Sequence, residues 1–200
     1  MTTRRSLLIS LGAAALLAGC DKLSPQADRQ QFHAVDITGA DYRYELPDTS
    51  GTMRSNADFK GKVTVVFFGF TQCPDVCPAT LAELAQVKKM LGADGDRLQG
   101  VFVTVDPERD TPEVLKAYVG AFDPGFVALR GTPEQTAATA KNFKLFYAKS
   151  PGKTPGSYTI DHTAGSYVFD TEGRVRLFVR YGGGGAEALA ADVKALLKAG

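Results

Sequence analysis

This chain's pattern predicts an α/β domain with a central mixed sheet and helices on both faces, and three observations carry that prediction. Two apolar runs, 63–70 and 98–105, lack the polar alternation of a half-solvated strand, so both read as strands covered on each face. Between them, Leu81, Leu84, Val87 and Leu91 recur at helical spacing, which makes the stretch a βαβ unit with parallel strands. Further on, 166–169 and 175–179 flank Asp170-Thr171-Glu172-Gly173 and read as an antiparallel hairpin added to that sheet.

The chain opens on a segment that is not part of this domain. Arg4 and Arg5 precede an apolar stretch over 7–18 and small residues before Cys20. The stretch is too short to span a bilayer, so residues 1–19 are expected to be a processed export signal. Leu17-Ala18-Gly19-Cys20 resembles a bacterial lipoprotein cleavage box. That likeness implies a diacylated Cys20 as the new N-terminus, with Asp21 behind it favouring retention in the inner membrane of a Gram-negative cell. Residues 20–31 are polar and read as a tether from lipid to domain. Residues 32–200 are then one folded domain anchored to a bacterial membrane and facing the periplasm, or the outside of the cytoplasmic membrane.

Within that domain, 32–37 alternates loosely ahead of the turn Thr38-Gly39-Ala40-Asp41, as a short hairpin or an edge strand would. Residues 42–59, with Pro47, Gly51 and Asn56, are irregular and predict no element. The helix of Leu81 is expected to start near Pro78, with Lys88 and Lys89 at its C-terminal end and Gly92 as its stop. Thr111-Pro112 sets a capping hydroxyl before a proline at the first helical position and predicts a helix to about Val119. Thr132-Pro133-Glu134-Gln135 repeats the pattern and predicts another toward Phe143. A short strand over 126–129 falls between them. Residues 144–157, rich in lysine, proline and glycine, read as a loop or insertion. Leu189, Val193, Leu196 and Leu197 mark a closing amphipathic helix.

Composition narrows the function. With 44% hydrophobic and 22% charged residues the chain is no disordered tail. Its 23 basic and 22 acidic side chains become 21 and 22 once Arg4 and Arg5 leave with the signal, so no basic surplus exists to meet nucleic acid. Of three cysteines, lipid takes Cys20, and Cys73 and Cys77 remain. A disulfide enclosing so few residues would restrict the unfolded chain little, which makes chemistry a better reason for the pair than stapling. Both follow the first parallel strand while Asp106 closes the second, and open α/β sheets bind ligands beyond the carboxyl ends of their strands. With Pro78 at the first helical position, the unpaired N–H groups there should leave Cys77 more ionised than an ordinary cysteine.

Two thiolates at this spacing can chelate a soft metal if a third ligand arrives. Only His33 and His162 are available as imidazoles. His33 stands beside the tether and reads as a surface or half-buried polar residue. His162 stands just before the predicted hairpin, where a loop either carries it over the crevice or leaves it a plain loop residue. Two thiolates and one imidazole best suit Cu(I), with zinc as the competitor. Met53 and Met90 do not cluster with the cysteines in sequence and are not proposed as ligands.

Cys73-Pro74-Asp75-Val76-Cys77-Pro78, the preceding Phe67-Phe68-Gly69-Phe70-Thr71, the later Asp106-Pro107-Glu108-Arg109-Asp110-Thr111-Pro112 and the late Asp161-His162 together resemble the Sco/SenC copper chaperones of cytochrome c oxidase assembly. The resemblance runs from about Phe32 to the C-terminus. It implies a thioredoxin-like fold and a copper site at Cys73, Cys77 and His162 that takes Cu(I) and Cu(II). It implies a role in loading or reducing the dinuclear copper centre of the oxidase's copper-binding subunit. That subunit is the expected partner, with a periplasmic copper donor and a thiol reductant upstream. Thr163 stands where the family commonly has serine, and keeps the hydroxyl. The competing reading is a thiol–disulfide oxidoreductase in which Cys73 and Cys77 are the redox-active pair. Asp75 and Asp106 are candidates for acidic surroundings of the site, or turn and cap residues. Asp161 would point away from His162 on an extended segment and so fix the loop or orient a neighbour rather than bind metal.

Overall fold

The structure is a computed structural model and describes residues 32–200. The expected export signal, Cys20 and the tether lie outside the described residues.

A short strand, β1 (Val35–Asp36), opens the domain, and a hairpin of β2 (Glu45–Pro47) and β3 (Met53–Ser55) occupies the stretch that sequence left unassigned. The βαβ unit follows as β4 (Val63–Gly69), α1 (Val76–Met90) and β5 (Leu98–Thr104), the strands parallel from Val63 opposite Leu98 to Gly69 opposite Thr104. α2 (Pro112–Gly120) starts where Thr111 accepts the Val114 N–H. β6 (Val127–Leu129) extends the parallel set, and α3 (Pro133–Asn142) starts on the reciprocal Thr132 and Gln135 capping box. β7 (Tyr147–Pro151) and β8 (Tyr158–His162) form a separate two-stranded arm. The predicted hairpin is β9 (Gly165–Phe169) with β10 (Val175–Arg180), and α4 (Gly185–Ala199) closes the chain.

The main sheet runs β1-β10-β9-β4-β5-β6, with β4 parallel to β5 on one side and antiparallel to β9 on the other. This is a thioredoxin-like α/β arrangement. The period of two along β4 explains why its sequence shows no polar alternation. Val63, Val65 and Phe67 face Leu81, Leu84 and Val87 of α1 and Leu189, Val193 and Leu196 of α4. Val66, Phe68 and Phe70 face Phe143, Tyr44 and Leu46 on the other side. Both sets are buried, and each such side chain contributes roughly 1.5–3 kcal/mol by leaving water. At the sheet's edge the Asp192 carboxylate of α4 accepts the backbone N–H groups of His33 and Ala34 and contacts the His33 ring, which gives His33 a structural place.

The 144–157 stretch departs from the loop that sequence predicts. It contains β7 and a short connection to β8; only Ile160 of the arm is buried, so no second apolar face writes an alternating pattern into the sequence. Its start is strained. Lys144 sits just beyond α3 with φ 52°, and its N–H and that of Leu145 close onto the carbonyls of Lys141 and Ala140. This is the Schellman closure that glycine usually makes. The left-handed conformation costs an L-residue about 1–2 kcal/mol, part of which glycine gives back as chain entropy. Lys144→Gly should therefore raise stability by about 0.5–1 kcal/mol, read as a higher urea midpoint at unchanged slope. A midpoint at or below the parent value would contradict this account.

Candidate metal centre

The strand-to-helix junction places the two sulfurs differently. α1 begins earlier than Pro78: Asp75 is its N-cap, so Cys77 lies inside the first turn and Cys73 just before it. Cys77 is fully buried and packs into the core beneath β4, where a Cβ on Gly69 would stand 2.5 Å from its sulfur. Only glycine at position 69 leaves that space. Cys73 is half-buried at the surface. Neither is in a disulfide.

Charge on the pair runs opposite to the sequence expectation. The open N–H groups of the helix start, those of Asp75 and Cys77, are aimed at the Cys73 sulfur, because the Cys77 side chain turns inward. Cys73 also accepts the Cys77 thiol proton, the largest influence on it, and these donors bring its pKa down to about 5 against the cost of burial. Cys77 is pushed far up, first by donating to Cys73 and then by burial, with the Cys73 and Asp110 charges adding to the effect. The reduced pair is thus one thiolate and one thiol sharing a proton, with Cys73 as the anion.

β8 delivers the imidazole. Tyr158, Ile160 and His162 share its inward side, and His162, its last residue, brings Nε2 to 3.8 Å from the Cys77 sulfur. Its Nδ1 lies 3.1 Å from the Thr163 carbonyl oxygen. A carbonyl only accepts, so in the neutral ring Nδ1 carries the proton and Nε2 presents its lone pair to the sulfurs. Phe70 meets the ring edge-to-face at 6.0 Å. The ligand atoms of Cys73, Cys77 and His162 all lie within 4.8 Å of one another, the one such cluster of three among the described residues. Ligands at roughly 2.0–2.3 Å from an ion in a plane stand about 3.5–4 Å apart, so the three need only a small contraction to hold one. The cluster can coordinate a metal ion.

The three acidic candidates occupy supporting positions. Asp75 is exposed, caps nothing with its side chain, and contributes its N–H to Cys73. Asp161 points outward and accepts from Ser150 across the arm at 2.5 Å, so the bond that orients His162 comes from the Thr163 carbonyl instead. Asp106 is buried and bonds Tyr158 and Arg109. The buried carboxylate that acts on Cys77 is Asp110, a residue the sequence gives no functional signal for. It accepts from the hydroxyls of Thr71 and Thr104, both at 2.6 Å, and burial raises its pKa. The Tyr118 hydroxyl is buried without a partner, its pKa raised by burial and by the charges of Cys77, Cys73 and Asp110. Two threonines spaced to reach one aspartate are the sort of signal a sequence holds only once the strand register is known.

An open cavity of about 570 Å³ lies elsewhere, between the β2–β3 hairpin and the turn at Glu172, Gly173 and Arg174. A bare ion needs converging ligand atoms rather than volume, so the thiol–imidazole cluster is the stronger site. Among the described residues no helix is long and apolar enough to cross a membrane.

Comparison with known proteins agrees with this geometry. The SCO1/SenC family model matches residues 34–198. The SCO2-like protein of Rickettsia felis is 35% identical, over 84% of this chain and 83% of its own length. Among solved structures, Bradyrhizobium japonicum ScoI with copper bound is 39% identical and superimposes with a TM-score of 0.69, covering 77% of this chain and 97% of that one. Apo Sco1 of Thermus thermophilus is 38% identical with a TM-score of 0.74, over 84% and 99%. Two thiols and an imidazole converging beyond the parallel strands, on a chain matched almost from end to end of its described part, make this protein a member of the SCO1/SenC family.

Proposed function

We propose that this protein is a copper chaperone that binds one copper ion through Cys73, Cys77 and His162 and passes it to the copper-binding subunit of cytochrome c oxidase. The observation that carries the reading is the convergence of two sulfurs and Nε2 within 4.8 Å. Soft thiolates favour Cu(I), and three ligands leave a side open for a receiving protein's ligand. Cu(II) is accommodated when a fourth ligand joins. Copper here is cargo, so an incomplete shell is what transfer requires. Oxidation of the pair to a disulfide removes both thiolates, so redox state gates loading. Cys20 carries the lipid, residues 20–31 span from it to the domain, and the site faces the outer side of the cytoplasmic membrane, where a copper donor and a thiol reductant serve it.

X-ray absorption and metal analysis of the reduced, copper-loaded protein test this directly. The expected result is one copper per chain with a shell of two sulfurs and one nitrogen, and loss of the nitrogen in His162→Ala. A shell of sulfur alone in the parent protein would remove His162 from the site.

A second reading has its own observation. Cys73 is the half-exposed thiolate and Cys77 the buried thiol, the division of labour of a dithiol reductant. Cys73 would attack a disulfide of the oxidase subunit, releasing one partner thiolate. Cys77, giving up its proton, would then attack the Cys73 sulfur and release the second. Two electrons pass to the partner, and an external dithiol restores the pair. In this reading His162→Ala leaves disulfide exchange near its parent rate while copper binding falls.

A further inference from the structure

We propose that Arg109 is the positioning residue of the site: one guanidinium holds the β7–β8 arm against the thiol loop and thereby sets where the His162 imidazole stands. The proposal rests on the reading of Cys73, Cys77 and His162 as the copper ligands.

Three separate pieces of chain meet on that side chain. Its Nη1 donates to the side-chain oxygen of Gln72, next to Cys73, at 3.0 Å, and to the backbone carbonyl of Tyr158, the first residue of β8, at 2.9 Å. Its Nε donates to the buried Asp106 carboxylate, beyond the end of β5. The guanidinium plane lies over the Tyr158 ring at 3.7 Å, with Phe70 at 5.8 Å, and the Tyr158 hydroxyl donates to the other Asp106 oxygen at 2.8 Å. Arg109 and Asp106 are both largely out of water, so this ion pair is fixed where an exposed one would be loose. By contrast, the Lys149 and Glu108 pair that also joins the arm to this loop is exposed.

Geometry carries the restraint to the metal ligand. Tyr158, Ile160 and His162 alternate onto one side of β8, so clamping Tyr158 and burying Ile160 fixes the tilt of the strand that ends on His162. The bonds between Phe146 and Thr163 close the base of the arm on itself. An arm released from Arg109 would present its imidazole only part of the time, and apparent copper affinity falls by that fraction. Lysine keeps the charge but not the planar fork that makes three contacts at once.

The test uses the full chain, reduced, with parent, Arg109→Lys, His162→Ala and the double variant. Cu(I) affinity is read by competition with a chromogenic chelator. Arg109→Lys should weaken binding about tenfold, within the range for residues that orient a ligand. In the His162→Ala background it should cost less than about twofold more, since its route to the metal is already gone. In the metal-free protein, ring nitrogen NMR should show His162 held in one Nδ1–H tautomer in the parent and averaging between tautomers in Arg109→Lys. Tyr158→Phe, which keeps the ring and removes the hydroxyl, repeats the cycle if the lysine variant does not fold, with a smaller loss in the same direction. Parent-like affinity in Arg109→Lys, beside a loss in His162→Ala, would overturn the positioning role and leave the ligand reading standing. An equal loss in both backgrounds would also overturn it, because Arg109 would then act without His162. No loss in His162→Ala would instead bring down the ligand reading itself.

Discussion

Reduced protein carrying Cys77→Ser should bind Cu(I) more than about 100-fold more weakly than the parent, beyond the 10–100-fold range expected for groups that merely orient a ligand. Serine is nearly isosteric, so it fits the space beneath Gly69 that holds the sulfur. What it removes is softness: a protonated hydroxyl is a poor partner for Cu(I), and the shell drops to one sulfur and one nitrogen. It also takes away the thiol proton that Cys73 accepts. Cys73→Ser should weaken binding to a similar degree, but by removing the preformed thiolate at the helix start. Thermal unfolding of each metal-free variant shows whether its fold is intact. Affinity within tenfold of the parent in a folded Cys77→Ser protein would mean that copper is held elsewhere.

Alkylation of the reduced, metal-free protein should proceed at Cys73 with a pH midpoint near 5, where an ordinary thiol reaches half ionisation only at about 8.5, while Cys77 stays unmodified. The same division governs stability. Between about pH 5 and 8.5 the unfolded chain still holds the Cys73 proton that the folded protein has released, so this group's contribution grows as pH rises and is lost as pH falls toward 5. Cys77 has the opposite sign. Its folded pKa is raised, so above about pH 8.5 the unfolded chain sheds a proton that the folded protein keeps, and stability declines with further alkali. The pair's contribution therefore peaks near pH 8.5. Urea unfolding across this range, with the disulfide form as the reference that lacks both protons, isolates it. A difference curve that is flat from about pH 5.5 to 8.5 would refute the assignment of Cys73 as the anion.

That assignment shows where local reasoning stopped. Pro78 and the apolar spacing place a helix start close to the Val76 where α1 begins, and with it a preference for a thiolate. Which sulfur receives the N–H groups depends on the direction of the Cys77 side chain, which turns into the space over Gly69. The arm is a similar case. Pro151, Gly152, Pro155 and Gly156 announce a turn, but strands beside it that bury only Ile160 leave no periodic trace. Arg109 carries no local signal of its role because its partners, Gln72 and Tyr158, are 37 and 49 residues away.

By itself the sequence determined much of what near neighbours dictate: the two-sided strands, the threonine caps with their prolines, the amphipathic helices and a thiol pair at a strand-to-helix junction. It also marked His162 as one of two imidazoles that could complete a site. The tertiary structure alone decided that His162 reaches Cys77 across 85 residues, that Cys73 rather than Cys77 bears the charge, and that Asp106 and Arg109 serve the arm. The reason is physical: backbone preference and hydrophobic period are written over a few consecutive residues, whereas a metal site depends on side chains that meet only after the sheet and the arm have closed on each other.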